Sequence, residues 1–209
     1  LMENGAAVEY IVVNQGIPSN SSLYDASCNG TWLLRKDCHS LRVWGQTNSG
    51  YATSLISPWL NGEFFSSLGS TEQATIKEVK IPYQYGAGND GVIRSGANGL
   101  SVKAFLLGGY ELGWDQTDSG SWKEDGAKLS YFVAHKEGNA TRISNLDGYA
   151  AIWWTRAAAG SATATVWYIS KVGSSGSDSI SRTYGVRPAL IIPSNAQFDA
   201  ETMLLKGVA

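Results

Sequence analysis

Turn-forming residues cut this sequence into short apolar runs, and that punctuation constrains the possible folds more than any other feature. The run Glu9-Tyr10-Ile11-Val12-Val13-Asn14 is rich in β-branched and aromatic residues and stops at Gln15-Gly16-Ile17-Pro18, the pattern of a strand followed by a turn. Similar runs recur at Thr31 to Leu34, Val102 to Leu107 (ended by Gly108-Gly109), Tyr149 to Trp154, Val166 to Ile169 and Val186 to Ile192. The last has the apolar density of a buried strand, with Pro188 near its start. Both ends of the domain therefore supply core strands, expected to pair if the fold closes on itself. With 24 glycines, 16% charged residues, and eight tryptophans and ten tyrosines spread over 209 positions, turns and aromatic packing outweigh long amphipathic helices.

Two short helices are expected. Ser57-Pro58 reads as a cap followed by proline at the first helical position, and Leu60, Phe64 and Leu68 recur four apart as one apolar face. Ser70-Thr71-Glu72-Gln73 matches a capping box for a second helix, which Pro82 prevents from continuing. Polar loops are expected from Asn48 to Ser54 and from Tyr85 to Leu100, and an irregular region from Asp115 to Asp147. The fold class is α+β, with two short helices, antiparallel strands and much irregular loop. Residues 1–193 form a single domain, and 194–209 read as a trailing segment or linker.

A formal charge of -2 and a pI near 5.7 give no field to attract a polyanion, and the sixteen Lys and Arg form no stripe, so nucleic acid is not an expected partner. No apolar stretch approaches the roughly 20 residues that span a bilayer, and Leu1 to Val8 lacks the layout of a secretory signal, so membrane insertion is not expected. Cys28 and Cys38, with ten positions between them, either pair or remain two buried thiols. Neither has a CxxC partner, and His39 and His135 are far apart, so no metal site is assigned.

Catalytic arrangements fare no better. His39 adjoins Cys38, but adjacent strand residues point to opposite faces, which argues against a Cys/His pair. Candidate paired carboxylates are Glu111, Asp115, Asp118, Glu124 and Asp125, in a Gly- and Ser-rich neighbourhood where solvated acids are expected; no EF-hand spacing is present. The clusters Tyr85-Gly86-Ala87-Gly88 and Gly108-Gly109 lack the Lys-Ser/Thr of a phosphate-binding loop. No catalytic residue, cofactor or enzymatic activity is assigned.

Thr155 to Tyr184 is composed largely of Ala, Ser, Thr and Gly and cannot build a core by itself. Strand alternation turns Trp167 and Ile169 inward and Tyr168, Ser170 and Val172 outward. An ordinary polar loop between strands is one reading of this composition. The other is an adaptable binding surface, because short polar residues and an outward Tyr hydrogen-bond readily and lose little side-chain entropy.

Four blocks carry a resemblance: Ser57-Pro58-Trp59-Leu60-Asn61 with Glu72-Gln73 downstream; Phe105-Leu106-Leu107 with Glu111; Trp153-Trp154-Thr155-Arg156; and Gly185-Val186-Arg187-Pro188-Ala189-Leu190. Their order, from about Glu9 to Pro193, resembles a domain of unknown function of gut bacteria and their phages. It is also similar to a C-type-lectin-like fold of the formylglycine-generating-enzyme branch, including the variable proteins of diversity-generating retroelements. The resemblance implies a phage tail receptor-binding protein or a surface adhesin, located on the virion or the cell surface, that contacts a host-surface protein or glycan through Ala157 to Tyr184.

In such proteins template adenines are randomised, and the residues reachable exclude Trp, Lys, Glu, Gln and Met. Trp153, Trp154, Trp167 and Lys171 would then be fixed, and Arg156 and Arg187 of the motif blocks would belong to the scaffold. Ala159, Ala162, Ala164, Thr165, Tyr168, Ser170, Ser174, Ser177, Arg182 and Tyr184 would be the ligand-contacting positions. Two departures stand out. Relatives commonly have Ser-Pro where this chain has Ala157-Ala158, and Cys28 and Cys38 lie far upstream of where the enzyme branch keeps its redox cysteines. The alternatives are a structural or trimerising fibre module and, behind it, an oxidoreductase of the formylglycine-generating type.

Overall fold

Two β-sheets hold the core, and in three places the chain crosses between pairing partners in the middle of what reads as one apolar run. The computed structural model describes residues 1–19, 21–46, 50–84, 92–114, 125–134, 139–159 and 164–208. Over these residues the chain is α+β: mostly strands, a few short helices, and irregular connections.

The first sheet is antiparallel and runs in the order Ala104–Phe105, Ala189–Ile192, Thr31–Arg35, Tyr10–Gln15. Ala189–Ile192 is buried at all four positions, as its density of Leu and Ile demands. The expected closure differs in detail. The last core strand pairs with Thr31–Arg35, through Leu190 opposite Leu33, and Thr31–Arg35 lies between it and Tyr10–Gln15.

The second sheet runs in the order Ser175–Ser179, Thr165–Ile169, Trp153–Ala158, Thr183–Val186, Ser40–Val43. Every pair is antiparallel except Trp153–Ala158 with Thr183–Val186. A parallel pair needs a crossover connection. Here the connection contains the Thr165–Ser179 hairpin, which occupies the sheet edge before the chain returns on the far side of Trp153–Ala158.

The expected strand from Val186 to Ile192 is broken at Arg187-Pro188, because proline has no N–H to give a ladder. Thr183–Val186 stays in the five-stranded sheet, and Ala189–Ile192 moves to the four-stranded one. Val102 to Leu107 splits likewise: Leu100–Val102 pairs with Val79–Ile81, and Ala104–Phe105 joins the first sheet. Tyr149–Ala151 pairs with Ser144–Leu146, and the next strand starts at Trp153.

The first expected helix is a continuous helical stretch, an α-turn at Ile56–Trp59, a π-turn at Leu60–Phe64 and an α-turn at Phe65–Ser67. Its apolar face is as expected, with Leu60, Phe64 and Leu68 all buried. The cap is not Ser57: the Ser54 hydroxyl accepts from Ser57 N at 3.1 Å. Asn61 joins this stretch to the first sheet, accepting from Lys103 N and Ala104 N and donating to the Ala104 carbonyl.

The second helix, Ser70–Thr75, forms without the expected capping box. Gln73 Nε2 instead donates to the Leu68 carbonyl at 2.6 Å, and buried Glu72 accepts from Met2 N. The region from Asp115 to Asp147 contains a helix at Ser130–Ala134 and a strand at Ser144–Leu146. After Pro193, Ala196–Phe198 and Leu205–Val208 form a hairpin beside Ser70–Thr75, with Leu205 buried. No described helix is long and apolar enough to cross a membrane.

Candidate ligand-binding surface

Trp153–Ala158 is buried at all six positions and anchors everything around it. Trp153 and Trp154 point to opposite faces, and both are fully covered. On one face Trp153 Nε1 donates to the Arg142 carbonyl, and the Arg187 guanidinium lies 5.0 Å from its ring centroid. On the other, Trp154 Nε1 donates to the Arg42 carbonyl at 3.0 Å. Thr155 Oγ1 donates to the Trp167 carbonyl, tying this strand to the hairpin.

The hairpin follows the alternation expected of Thr165–Ile169. Trp167 and Ile169 are buried, Tyr168 is half-buried and Val172 is exposed. Val166, on the Tyr168 face, is also buried, so that face opens only from Tyr168 outward. Tyr168 stands opposite Trp154 on one side and Gly176 on the other. A Cβ on Gly176 would come within 2.5 Å of the Tyr168 ring, so the missing side chain lets the tyrosine lie over the neighbouring strand.

Tyr184 completes an aromatic cluster on this outer face, its ring centroid 4.6 Å from that of Trp154 and 5.3 Å from that of Tyr168. The Tyr184 hydroxyl donates to Asp178 Oδ2 at 2.6 Å. That bond, with a second from Ser179 N, lowers the Asp178 carboxyl, and the same bond pushes the Tyr184 phenol up to about 12. Arg182 lies across Asp178 with Nε 3.7 Å from Oδ1 and stays exposed. Two half-open phenol rings, a carboxylate and a mobile-length guanidinium make a patch able to stack on a ligand and hydrogen-bond its rim.

The ten positions that the resemblance implies fall into distinct environments. Ser177 and Arg182 are exposed, and Tyr168 and Tyr184 are half-buried in the cluster. Ser170 and Ser174 bond to each other, Oγ to Oγ at 2.7 Å, and close the hairpin turn. Thr165 Oγ1 donates to the Ala159 carbonyl, and Ala164 is half-buried against the core. Ala159 is buried at 4% exposure, so its side chain does not reach solvent; Ala162 lies outside the described residues. Lys171 is exposed, whereas Trp153, Trp154, Arg156, Trp167 and Arg187 are all buried. Asp178 belongs to the surface and was not expected. Asp178 is the only acid in the sequence between Asp147 and Asp199, a signal that could have marked it.

Behind the surface, two acids expected to be solvated are buried. Glu111 takes a two-pronged contact from Arg156, at 2.5 Å to Nη1 and 2.7 Å to Nη2, and also accepts from the Tyr24 hydroxyl and Gly108 N. Arg156 further donates to the Leu106 and Asp125 carbonyls. Burial works against its charge, but Glu111 and Asp125 together hold its pKa raised. Among the described residues no other residue hydrogen-bonds the Asp125 carboxylate, which lies 3.8 Å from Arg156 Nε. Its burial outweighs the pull of Arg156 and raises it to about 6. Asp115, Asp118 and Glu124 lie outside the described residues, as does His135.

The cysteines are free and buried, not paired. Burial pushes the Cys28 thiol up to about 12 and raises that of Cys38. His39 packs edge-on against Trp59 and Phe64, and burial lowers its pKa. Arg187 donates from Nε to the Arg35 carbonyl, and burial brings it down to about 10. Among the described residues no group of three or more His, Cys, Asp or Glu is placed to hold a metal ion.

Comparison with curated proteins and with solved structures finds no match. A family model described as a domain of unknown function, DUF6273, matches residues 29–194, from just before the Thr31–Arg35 strand to just after the Ala189–Ile192 strand. That span contains both motif blocks around Trp153 and Arg187 and all of the surface just described, and the chain belongs to the DUF6273 family.

Proposed function

We propose that this chain is a ligand-binding display module, a phage tail receptor-binding protein or a surface adhesin, acting on the virion or at the cell surface. Its fold is read as C-type-lectin-like, and its partner as a host-surface protein or glycan met by the outer face of the Thr165–Ser179 hairpin and Tyr184. The observation that carries this reading is the contrast within one sheet. A fully buried strand holds the backbone, while the neighbouring hairpin, turn and strand place Tyr168, Asp178, Arg182 and Tyr184 together on the outer side of the sheet, where Arg182 is exposed and the two tyrosines are half-buried. Substitutions on such a face usually cost under about 0.5 kcal/mol, against several for core positions.

Diversification by a retroelement fits that division, since the tryptophans such a process cannot generate are the buried ones. The non-enzymatic reading draws on the raised thiols of Cys28 and Cys38, which disfavour the thiolate that nucleophilic or redox chemistry needs. Sequencing the gene deeply within one population tests the proposal. Substitutions should cluster between Ala157 and Tyr184; an even spread along the chain would count against it. A fibre-assembling module is favoured by a different place, the apolar cavity of about 430 Å3 flanked by exposed Val12, Phe198 and Met203. A stable oligomer in light scattering, lost on Met203→Asp, would move the balance to that reading.

A further inference from the structure

Two acids share one buried arginine, and they share it unequally. Glu111 takes both ends of the Arg156 guanidinium, at 2.5 and 2.7 Å, while the Asp125 carboxylate is left 3.8 Å from Nε, with no hydrogen bond from another described residue. One cation therefore faces two carboxylates in a place closed to solvent, where Glu111, Asp125 and Arg156 are each no more than 1% exposed. Ionising both acids leaves an excess negative charge that the buried site cannot solvate. The packing gives no relief in place. A Cβ on Gly108 would fall 2.6 Å from Asp125 Oδ1, and one on Gly126 would fall 2.8 Å from the Tyr24 hydroxyl. An ionised Asp125 reaches water only if its segment moves.

That segment is docked on the same cluster. The Asp125 carbonyl accepts from Arg156 Nη2 at 2.8 Å, Ala127 N donates to the Tyr24 hydroxyl at 2.8 Å, and Leu129 N donates to the Glu111 carbonyl at 3.1 Å. The helix that follows, Ser130–Ala134, lies along the outer strand of the first sheet, where Ser130 N donates to Asn14 Oδ1 and Ser130 Oγ to the Val13 carbonyl. Leu129 and Phe132 are buried, which keeps the docked form dominant. We propose that Asp125 is a proton-operated latch on residues 125–134: protonated, it keeps them docked against Tyr24, Glu111 and the edge strand Tyr10–Gln15, and ionised, it loosens them from that edge.

The other groups facing the cluster hold their state around neutral pH. Burial raises the Tyr24 phenol well above its ordinary value, raises Tyr51, which accepts from Leu106 N, and pushes the Cys28 thiol up to about 12. Arg156 keeps its charge because its two acids outweigh its burial. Glu111 is committed to Arg156, Tyr24 and Gly108 N. Docking raises Asp125 from 3.8 to about 6 through burial, and release returns it to 3.8, so the docked form binds the proton more tightly and loses ground as pH rises. Opening should become about tenfold more frequent between pH 5 and pH 7.5 and level off above about pH 7.

Amide hydrogen exchange followed by NMR and corrected for intrinsic rates reads this opening directly at Ala127 and Leu129. Both amides should open about tenfold more often at pH 7.5 than at pH 5, with no dependence on urea up to about 1 M, because a local release exposes little surface. They should also open more often than the amides of Thr31–Arg35, a strand paired on both sides whose opening depends on urea. In Asp125→Asn the rise with pH should vanish, and in the parent protein the Asp125 carboxyl carbon should titrate with a midpoint of about 6. A midpoint near 3.8, a pH-dependent rise that survives in Asp125→Asn, or Ala127 and Leu129 amides that open only together with Thr31–Arg35 would overturn the proposal. None of these readouts touches the hairpin face, so the latch and the binding reading stand or fall separately.

Discussion

The Trp153–Ala158 strand and the Thr165–Ile169 strand beside it belong to one sheet and share a ladder, yet they answer to different constraints. In the first, both faces are covered and the single charged side chain, Arg156, is neutralised by a carboxylate reached across 45 positions of sequence. In the second, one face is bolted down by Trp167 and Ile169 and the other opens at Tyr168. Being in a strand therefore does not make a residue structural; what lies over each face does. A parallel neighbour on one side and an edge hairpin on the other let this sheet carry a fully covered strand and a half-open strand side by side.

The comparison breaks hardest at Arg156. Replacing it by Met leaves Glu111 buried without its partner, which should cost about 3–5 kcal/mol in denaturant unfolding. Within the hairpin one position should behave like the core. A Cβ on Gly173 would fall 1.9 Å from the Asn139 carbonyl oxygen, and its φ is 77, so Gly173→Ala should lose about 2 kcal/mol or more although its neighbour Val172 is exposed.

Asp125 sharpens the account of the buried side through pH. Its carboxyl is raised from 3.8 to about 6, so the fold favours the protonated form; the penalty is full above about 6 and is relieved as pH falls toward 3.8. Asp125→Asn should therefore stabilise by about 1–3 kcal/mol at pH 7, and the difference from the parent protein should shrink to near zero by about pH 4 in parallel thermal melts. At the small end, Ser177→Ala and Arg182→Ala should each change stability by no more than about 0.5 kcal/mol, measured by the same unfolding curves.

Much of the frame was legible because apolar runs report burial. Tyr10–Gln15, Thr31–Arg35 and Thr165–Ile169 lie where their residue types put them. Burial does not report partnership, which is why Val102 to Leu107 and Val186 to Ile192 read as single strands but each serve two partners. Turn chemistry carries information of its own: Asn4-Gly5 and Asp147-Gly148, all four at positive φ, close two-residue hairpins, the second at the end of the region expected to be irregular. The capping box failed for a local reason, since Gln73 found carbonyls at Ser66 and Leu68 instead of reaching back to the helix start. Glu111 and Asp125 looked solvated because their sequence neighbours are Gly and Ser, and only the fold brings Arg156 and Tyr24 to them. At the surface, the outward set was readable from alternation, but the bonds that commit Ser170, Ser174 and Thr165 to closing the hairpin were not.

The central claim is that the outer hairpin face binds while the strand beneath it only holds. A saturation scan from Trp153 to Tyr184, reading display level and attachment to host cells separately for every variant, tests it most directly. Substitutions at Tyr168, Asp178, Arg182 and Tyr184 should abolish or redirect attachment at normal display, whereas those at Trp153, Trp154 and Arg156 should lower both together. If attachment followed display at every position, with no outward residue affecting it alone, the account would be wrong.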